Sequence, residues 1–144
     1  ERNGQIFAFR NNAFDTHVQQ NNLHNRLLSY TSDAINGFYS EMKLVNRHKD
    51  IIILVFSEFG RRAKENTNLG TDHGTAAPVF VIGNRVKGGF YGKKFDLKKD
   101  LDDMDNLIYD IDFRRVYSEI ITNWFNFDSS KEASITDIIS FKCS

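Results

Sequence analysis

Apolar residues fall along this chain in three rhythms. Residues 5–10 (QIFAFR) alternate apolar with polar, the period of a short half-buried strand. From Leu23 the apolar positions are Leu23, Leu27, Tyr30, Ala34, Ile35, Phe38, Tyr39, Met42 and Val45. Their steps of three and four predict one face of a long helix, with Asn21 or Asn22 as its cap. Gly37 inside that helix costs about 1 kcal/mol relative to Ala, which a close approach to a sheet would explain. Residues 51–56 (IIILVF) are unbroken, as in a strand buried on both faces of a parallel sheet. Residues 78–82 (PVFVI) predict the next strand, with Pro tolerated at its first position. Residues 86–92 (VKGGFYG) predict a short strand or hairpin arm. Asp112 then caps a helix whose apolar side is Phe113, Val116, Tyr117, Ile120, Ile121, Trp124 and Phe125. This order predicts an α/β fold with a mainly parallel sheet flanked by helices.

The polar stretches between these elements hold the candidate chemistry. Residues 51–83 bracket a charged loop with two predicted strands, and open α/β sheets keep their chemistry at the carboxyl ends of strands. Glu58 follows directly on a buried strand, so it is solvated, ion-paired with Arg61 or Arg62, or a metal ligand. Arg61 offers a bidentate clamp for an oxyanion. Asp72 and His73 lie between Gly70 and Gly74, and a carboxylate beside an imidazole is a common metal-site arrangement. Asp15 and His17 are two residues apart, so in an extended segment they point the same way. An Asp cap and a surface His is the simpler reading of that pair taken alone. His24 stands at the start of the long helix, with a surface or capping role the plainer one, and His48 sits in a solvated turn. Taken together, Asp15, His17, Glu58, Asp72 and His73 supply two imidazoles and three carboxylates. That mixed set suits Zn or Mn, with Fe a further candidate, rather than Mg or Ca.

Composition narrows the classes. Nineteen basic residues balance nineteen acidic ones among 144, which gives no electrostatic footprint for nucleic acid. No apolar run approaches the length of a membrane span. Thirteen Phe against one Trp suits sheet packing. The one cysteine, Cys143, has no internal partner for a disulfide. The Asp-rich stretch 93–110 lacks the central Gly and closing Glu of a calcium loop and reads as a solvated loop. No serine sits in a nucleophile-elbow context. Beyond Asn126 the chain turns Ser-rich, with Ile135, Ile138 and Ile139 hinting at a small docking element.

Several motifs, in this order, resemble the C-terminal part of the domain-of-unknown-function 1501 family. They are Phe14-Asp15-Thr16-His17, a helix opened by His24, VFSEFGRR at 55–62, GTDHGTAAPVFVIG at 70–83, VKGGFYG at 86–92 and DFRRVYSEIITNWF at 112–125. The resemblance implies an alkaline-phosphatase-like domain, related to sulfatases, of which residues 1–126 are the C-terminal part and 127–144 a tail. It implies one or two divalent ions and an ester substrate, small-molecule or polymer-borne, of phosphate or sulfate. It also implies a bacterial protein exported to the periplasm or secreted. Asp15 with His17 looks like the pair holding one metal, and Glu58 and His73 stand at further ligand positions. Two positions depart from the pattern: Glu58 is followed by Phe59 rather than His, and Asn12 and Ala13 replace glycines. The nucleophile of that wider group would lie outside this chain, so a chain of this extent is expected to be inactive alone. The alternative is a non-catalytic exported binding or assembly protein on the same fold. Oligomeric state is not legible in the sequence.

Overall fold

The longest element, α1, spans Gln20–Leu44 in a computed structural model that describes residues 4–126. The helix begins before the predicted Asn caps because another segment supplies its first acceptors. The backbone N–H groups of Gln19 and Gln20 donate to the carbonyls of Asn68 and Leu69 at 2.9 and 2.8 Å. Gln19 itself sits in the left-handed region with no side-chain cap, so those two bonds do the capping. At the other end the N–H of Val45 donates to the carbonyl of Glu41 and that of Asn46 to Lys43, with Asn46 left-handed. Lys43 in the last turn complements the helix dipole. A Cβ built on Gly37 meets nothing within 4 Å, so no close approach explains this glycine. Gly37→Ala is therefore expected to stabilise the protein by about 0.5–1 kcal/mol, read as a raised Tm in thermal unfolding.

Four short strands follow: β1 (Ile53–Val55), β2 (Gly60–Arg61), β3 (His73–Gly74) and β4 (Phe80–Ile82). They form two sheets of two strands, both antiparallel. In the outer pair Ile53, Leu54 and Val55 face Ile82, Val81 and Phe80. In the inner pair Gly60 faces Gly74 and Arg61 faces His73. The inner ladder nests within the outer one, as in a single hairpin interrupted midway. This corrects the expectation of a mainly parallel sheet. Parallel neighbours need a crossover, usually a helix. The Asn- and Gly-rich segment between β1 and β4 has no helical period and folds back on itself instead. β1 is correspondingly half-buried along its length rather than buried on both faces.

Each of two compact units has its own organisation. One comprises Phe9–Asn84 and Phe95–Ile108 and holds α1, all four strands and the Asp-rich loop. In that loop carboxylates close turns. Asp102 accepts from the backbone N–H groups of Met104 and Asn106, each at 2.9 Å, and from the Asn106 side chain at 3.1 Å. Those bonds, led by the Asn106 N–H, hold the Asp102 carboxyl below its usual range. An isolated bridge between Leu101 and Leu107 closes the excursion.

The other unit comprises, within the described residues, 4–8, 85–94 and 109–126. Residues 5–8 and 86–92 form no strand there, contrary to the alternation and hairpin readings. Its helix α2 (Phe113–Glu119) continues into a π-helical turn, Ile120–Trp124. Asp112 caps α2 as predicted, accepting from the Arg114 N–H at 2.8 Å and from Arg114 Nε at 2.9 Å. The Arg114 side chain first, then its backbone N–H, hold the Asp112 carboxyl at about 2. A carboxyl depressed on folding stabilises the native state above its unfolded value and loses that contribution as pH falls through its folded value. The Tm advantage of wild type over Asp112→Asn is thus expected to be full above about pH 4 and to vanish as pH falls through about 2.

Among the described residues Leu27 and Val116 are the only buried apolar side chains, while Phe9 and Phe90 are almost wholly exposed. No helix among them is long and apolar enough to cross a membrane. Cys143 and the isoleucines at 135, 138 and 139 lie outside the described residues.

Candidate metal centre

The site is assembled from a short turn, the irregular tripeptide Asp15-Thr16-His17 and the inner hairpin. A 3-10 turn, Asn12–Phe14, is closed by the Asn11 side chain, which accepts from the Ala13 N–H at 3.1 Å. At Asp15 the chain turns tightly, with φ −80° and ψ 70° and the Thr16 N–H donating to the Phe14 carbonyl at 2.9 Å. Thr16 is buried, whereas Asp15 and His17 meet. Asp15 Oδ1 lies 2.9 Å from His17 Nε2. His73, on β3, completes the group: its Nε2 is 2.8 Å from Asp15 Oδ1 and 3.1 Å from His17 Nε2. All three side chains are about half exposed, so solvent reaches the point where they meet.

Three atoms this close cannot all be satisfied by hydrogen bonds among themselves. The bond from His73, opposed by partial burial and helped by the charges of His17, His73 and Arg61, lowers the Asp15 pKa, so Oδ1 is an acceptor. Each imidazole Nε2 carries at most one hydrogen. If both carry one, both donate to Asp15 and the two N–H groups confront each other. If one carries none, one edge of the triangle is left without a proton. A cation accepting a lone pair from all three resolves the conflict. Around an ion with bonds of about 2.0–2.1 Å, tetrahedral ligand atoms stand about 3.3 Å apart, a few tenths more than the edges seen here. Two imidazoles and a carboxylate with open positions are a set used by catalytic zinc and by non-haem iron. The residues present thus fit a small divalent transition ion.

Neighbouring groups fix each of these three side chains. Asp72 Oδ1 faces His17 Nδ1 at 3.6 Å, the far side of the ring from Asp15. Asn66 Nδ2 donates to Asp72 Oδ1 at 3.2 Å and to the His17 carbonyl at 3.1 Å. The Asn66 bond is the main cause of a lowered Asp72 pKa. Phe59 stacks flat on His73, with ring centroids 3.7 Å apart and planes 12° apart, and the Arg61 guanidinium lies 5.0 Å from the Phe59 centroid. Arg61 donates through Nη1 to the Thr71 carbonyl and through Nη2 to the Phe14 carbonyl, both at 2.6 Å, and stands 3.5 Å from Asp15 Oδ1. It ties the two ligand-bearing segments together and is largely buried in doing so. Its donors are directed at backbone rather than held free as the expected oxyanion clamp.

Of the five ligands expected from sequence, the structure brings Asp15, His17 and His73 to one point and sets Asp72 behind His17. It does not bring Glu58 there: that side chain is exposed and lies 3.6 Å from Arg10. Glu58 and Phe59 sit in a bend just before β2, where Phe59 meets His73 and Arg61 while Glu58 faces Arg10. His24 stacks edge-on against Phe14 and is not among the converging ligands, and His48 is half-buried against Tyr39. Sequence reasoning missed Phe59 and Asn66. The signal for Phe59 was its place two residues before Arg61. For Asn66 it was the NTNLG run, where an Asn opens a tight turn that ends in Gly.

A family model described as "Protein of unknown function (DUF1501)" matches residues 1–139. The chain belongs to the DUF1501 family. No curated protein and no solved structure matches it significantly. The match takes in every DUF1501 residue described at this centre, from Asp15 through Asn66 to His73.

Proposed function

We propose that this DUF1501 protein is a metal-dependent hydrolase of phosphate or sulfate esters, built on an alkaline-phosphatase-like plan. The observation that carries the proposal is the convergence of Asp15 Oδ1, His17 Nε2 and His73 Nε2 within 3.1 Å of one another at a solvent-open position. These three residues would hold one divalent ion, zinc or manganese. When bound, such an ion supplies Lewis-acid stabilisation of an ester oxygen and lowers the pKa of water. The chain's own residues do the remaining work. Asp72 faces His17 Nδ1, which favours the tautomer with a free lone pair on Nε2. Phe59 holds the plane of the His73 ring. Arg61 fixes the spacing of the Asp15 and Asp72–His73 segments through two carbonyls. The substrate is an ester, small-molecule or polymer-borne, and the family likeness carries a periplasmic or secreted location into the proposal.

The test is metal analysis of the full-length protein together with turnover on a panel of phosphate and sulfate esters. Bound zinc or manganese with turnover on one ester class is the expected result. A fully metal-loaded protein that turns over neither class would overturn the hydrolase reading. It would favour instead a non-catalytic exported binding or assembly role.

A further inference from the structure

One side chain outside the ligand triangle makes contacts out of proportion to its size. The Asn66 amide reaches four groups. Its Oδ1 accepts from the backbone N–H groups of Asn68 and Gly70 at 2.9 and 3.1 Å, closing the turn that Asn66 opens. Its Nδ2 donates to the His17 carbonyl and to Asp72 Oδ1. The backbone adds to this closure, with the Asn66 N–H donating to the Gly70 carbonyl at 2.8 Å and the Leu69 N–H to the Asn66 carbonyl at 3.2 Å. The same turn presents the Asn68 and Leu69 carbonyls that cap α1 directly after His17. It also packs so tightly that a Cβ on Gly70 would lie 2.3 Å from the His17 carbonyl carbon and oxygen.

The two halves of the amide thus have separate jobs. The oxygen faces inward and shapes the turn. The nitrogen faces the centre and holds His17 from two ends, at its backbone carbonyl and through the carboxylate opposite its Nδ1. We infer that Asn66 is the positioning residue of the centre, setting His17 through its carbonyl and through Asp72 so that Nε2 meets a divalent ion. The inference rests on Asp15, His17 and His73 being ion ligands. Outer-sphere partners of this kind typically govern about 10–100-fold in metal affinity.

Asn66→Asp separates the two jobs. It keeps an acceptor oxygen for the Asn68 and Gly70 N–H groups and replaces the donor with an oxygen that repels Asp72 and the His17 carbonyl. The probe is zinc alone, titrated into metal-free full-length protein, with thermal unfolding of the metal-free forms alongside. Asn66→Asp is expected to weaken zinc binding by about 10–100-fold, while the metal-free form still unfolds cooperatively at a Tm lowered only by the loss of the two Nδ2 bonds. Cobalt substitution should show a shifted visible absorption band in the variant, which a purely turn-forming role would not produce. Zinc affinity and cobalt spectrum both equal to wild type would overturn the inference and leave the metal reading standing. Wild type that binds no zinc would overturn the metal reading and this inference with it. Should Asn66→Asp fail to fold, Asn66→Ser decides. Its hydroxyl still accepts from the turn N–H groups, more weakly, but has no second arm to reach the His17 carbonyl and Asp72, so wild-type zinc affinity in that variant would equally overturn the inference.

Discussion

His73→Ala is expected to reduce the affinity of the full-length protein for zinc or manganese by more than about 100-fold, beyond the range of an outer-sphere change. The expectation follows from the shape of the site. His73 supplies one of the three atoms that converge among the described residues, and its Nε2 touches both of the others. Asp15 and His17 that remain are two residues apart in sequence and make a two-point chelate with no third arm. Phe59, which stacks on the His73 ring, loses its neighbour at the same time. His73→Ala is nonetheless expected to fold, because the side chain is about half exposed and its strand is held by backbone pairing with Arg61. Metal content after dialysis, measured beside the far-UV spectrum of the same sample, separates lost binding from lost structure. Retention of a full equivalent of metal by His73→Ala would remove His73 from the ligand set.

Replacing Arg61 carries the largest expected cost in stability. The Arg61 guanidinium is a planar fork whose two ends reach the carbonyls of Phe14 and Thr71, which lie on segments far apart in sequence. A lysine ammonium is a point charge and cannot span both. Hydrogen bonds to charged groups contribute about 1.5–3 kcal/mol each, so loss of one costs about that amount. Arg61→Ala loses both bonds and is expected to cost about 3–5 kcal/mol, since it also leaves both carbonyls without this donor. Denaturant unfolding of the three forms should rank them wild type, Arg61→Lys, Arg61→Ala. The same changes should weaken metal binding, because Phe14 precedes Asp15 and Thr71 precedes Asp72. Were Arg61 instead a free clamp for substrate, Arg61→Lys would leave stability unchanged.

Local patterns were legible in the sequence where one segment determines its own structure. The helix from Leu23 onward, the capping of α2 by Asp112, and the apolar strands around residues 53–55 and 80–82 all follow from periodicity and short-range hydrogen bonding. Strand direction was not legible. The apolar run at 51–56 reads as a parallel core strand, and only the return path through the nested inner hairpin makes its partner antiparallel. The start of α1 was missed for a related reason, since its acceptors come from Asn68 and Leu69, remote in sequence.

The site divides along the same line. Asp15 and His17 were paired in the sequence by the alternation of an extended chain, whereas the structure brings them together across a tight turn at Asp15. His73 joined them through its position in a glycine-flanked loop. Glu58 was expected from its place after a strand, but the chain bends there, and it is Phe59 that meets His73 while Glu58 faces Arg10. Asn66 and Phe59 act through contacts with residues distant in sequence, and their residue types announce no metal chemistry.

The central claim is that two imidazoles and one carboxylate share a single divalent ion. X-ray absorption at the zinc edge, on full-length protein reconstituted with one equivalent, tests it most directly. The account predicts two histidine nitrogens at about 2.0–2.1 Å with oxygen completing the shell, and loss of one histidine from that shell in His17→Ala. A shell of oxygen alone, or two histidines retained in His17→Ala, would contradict it.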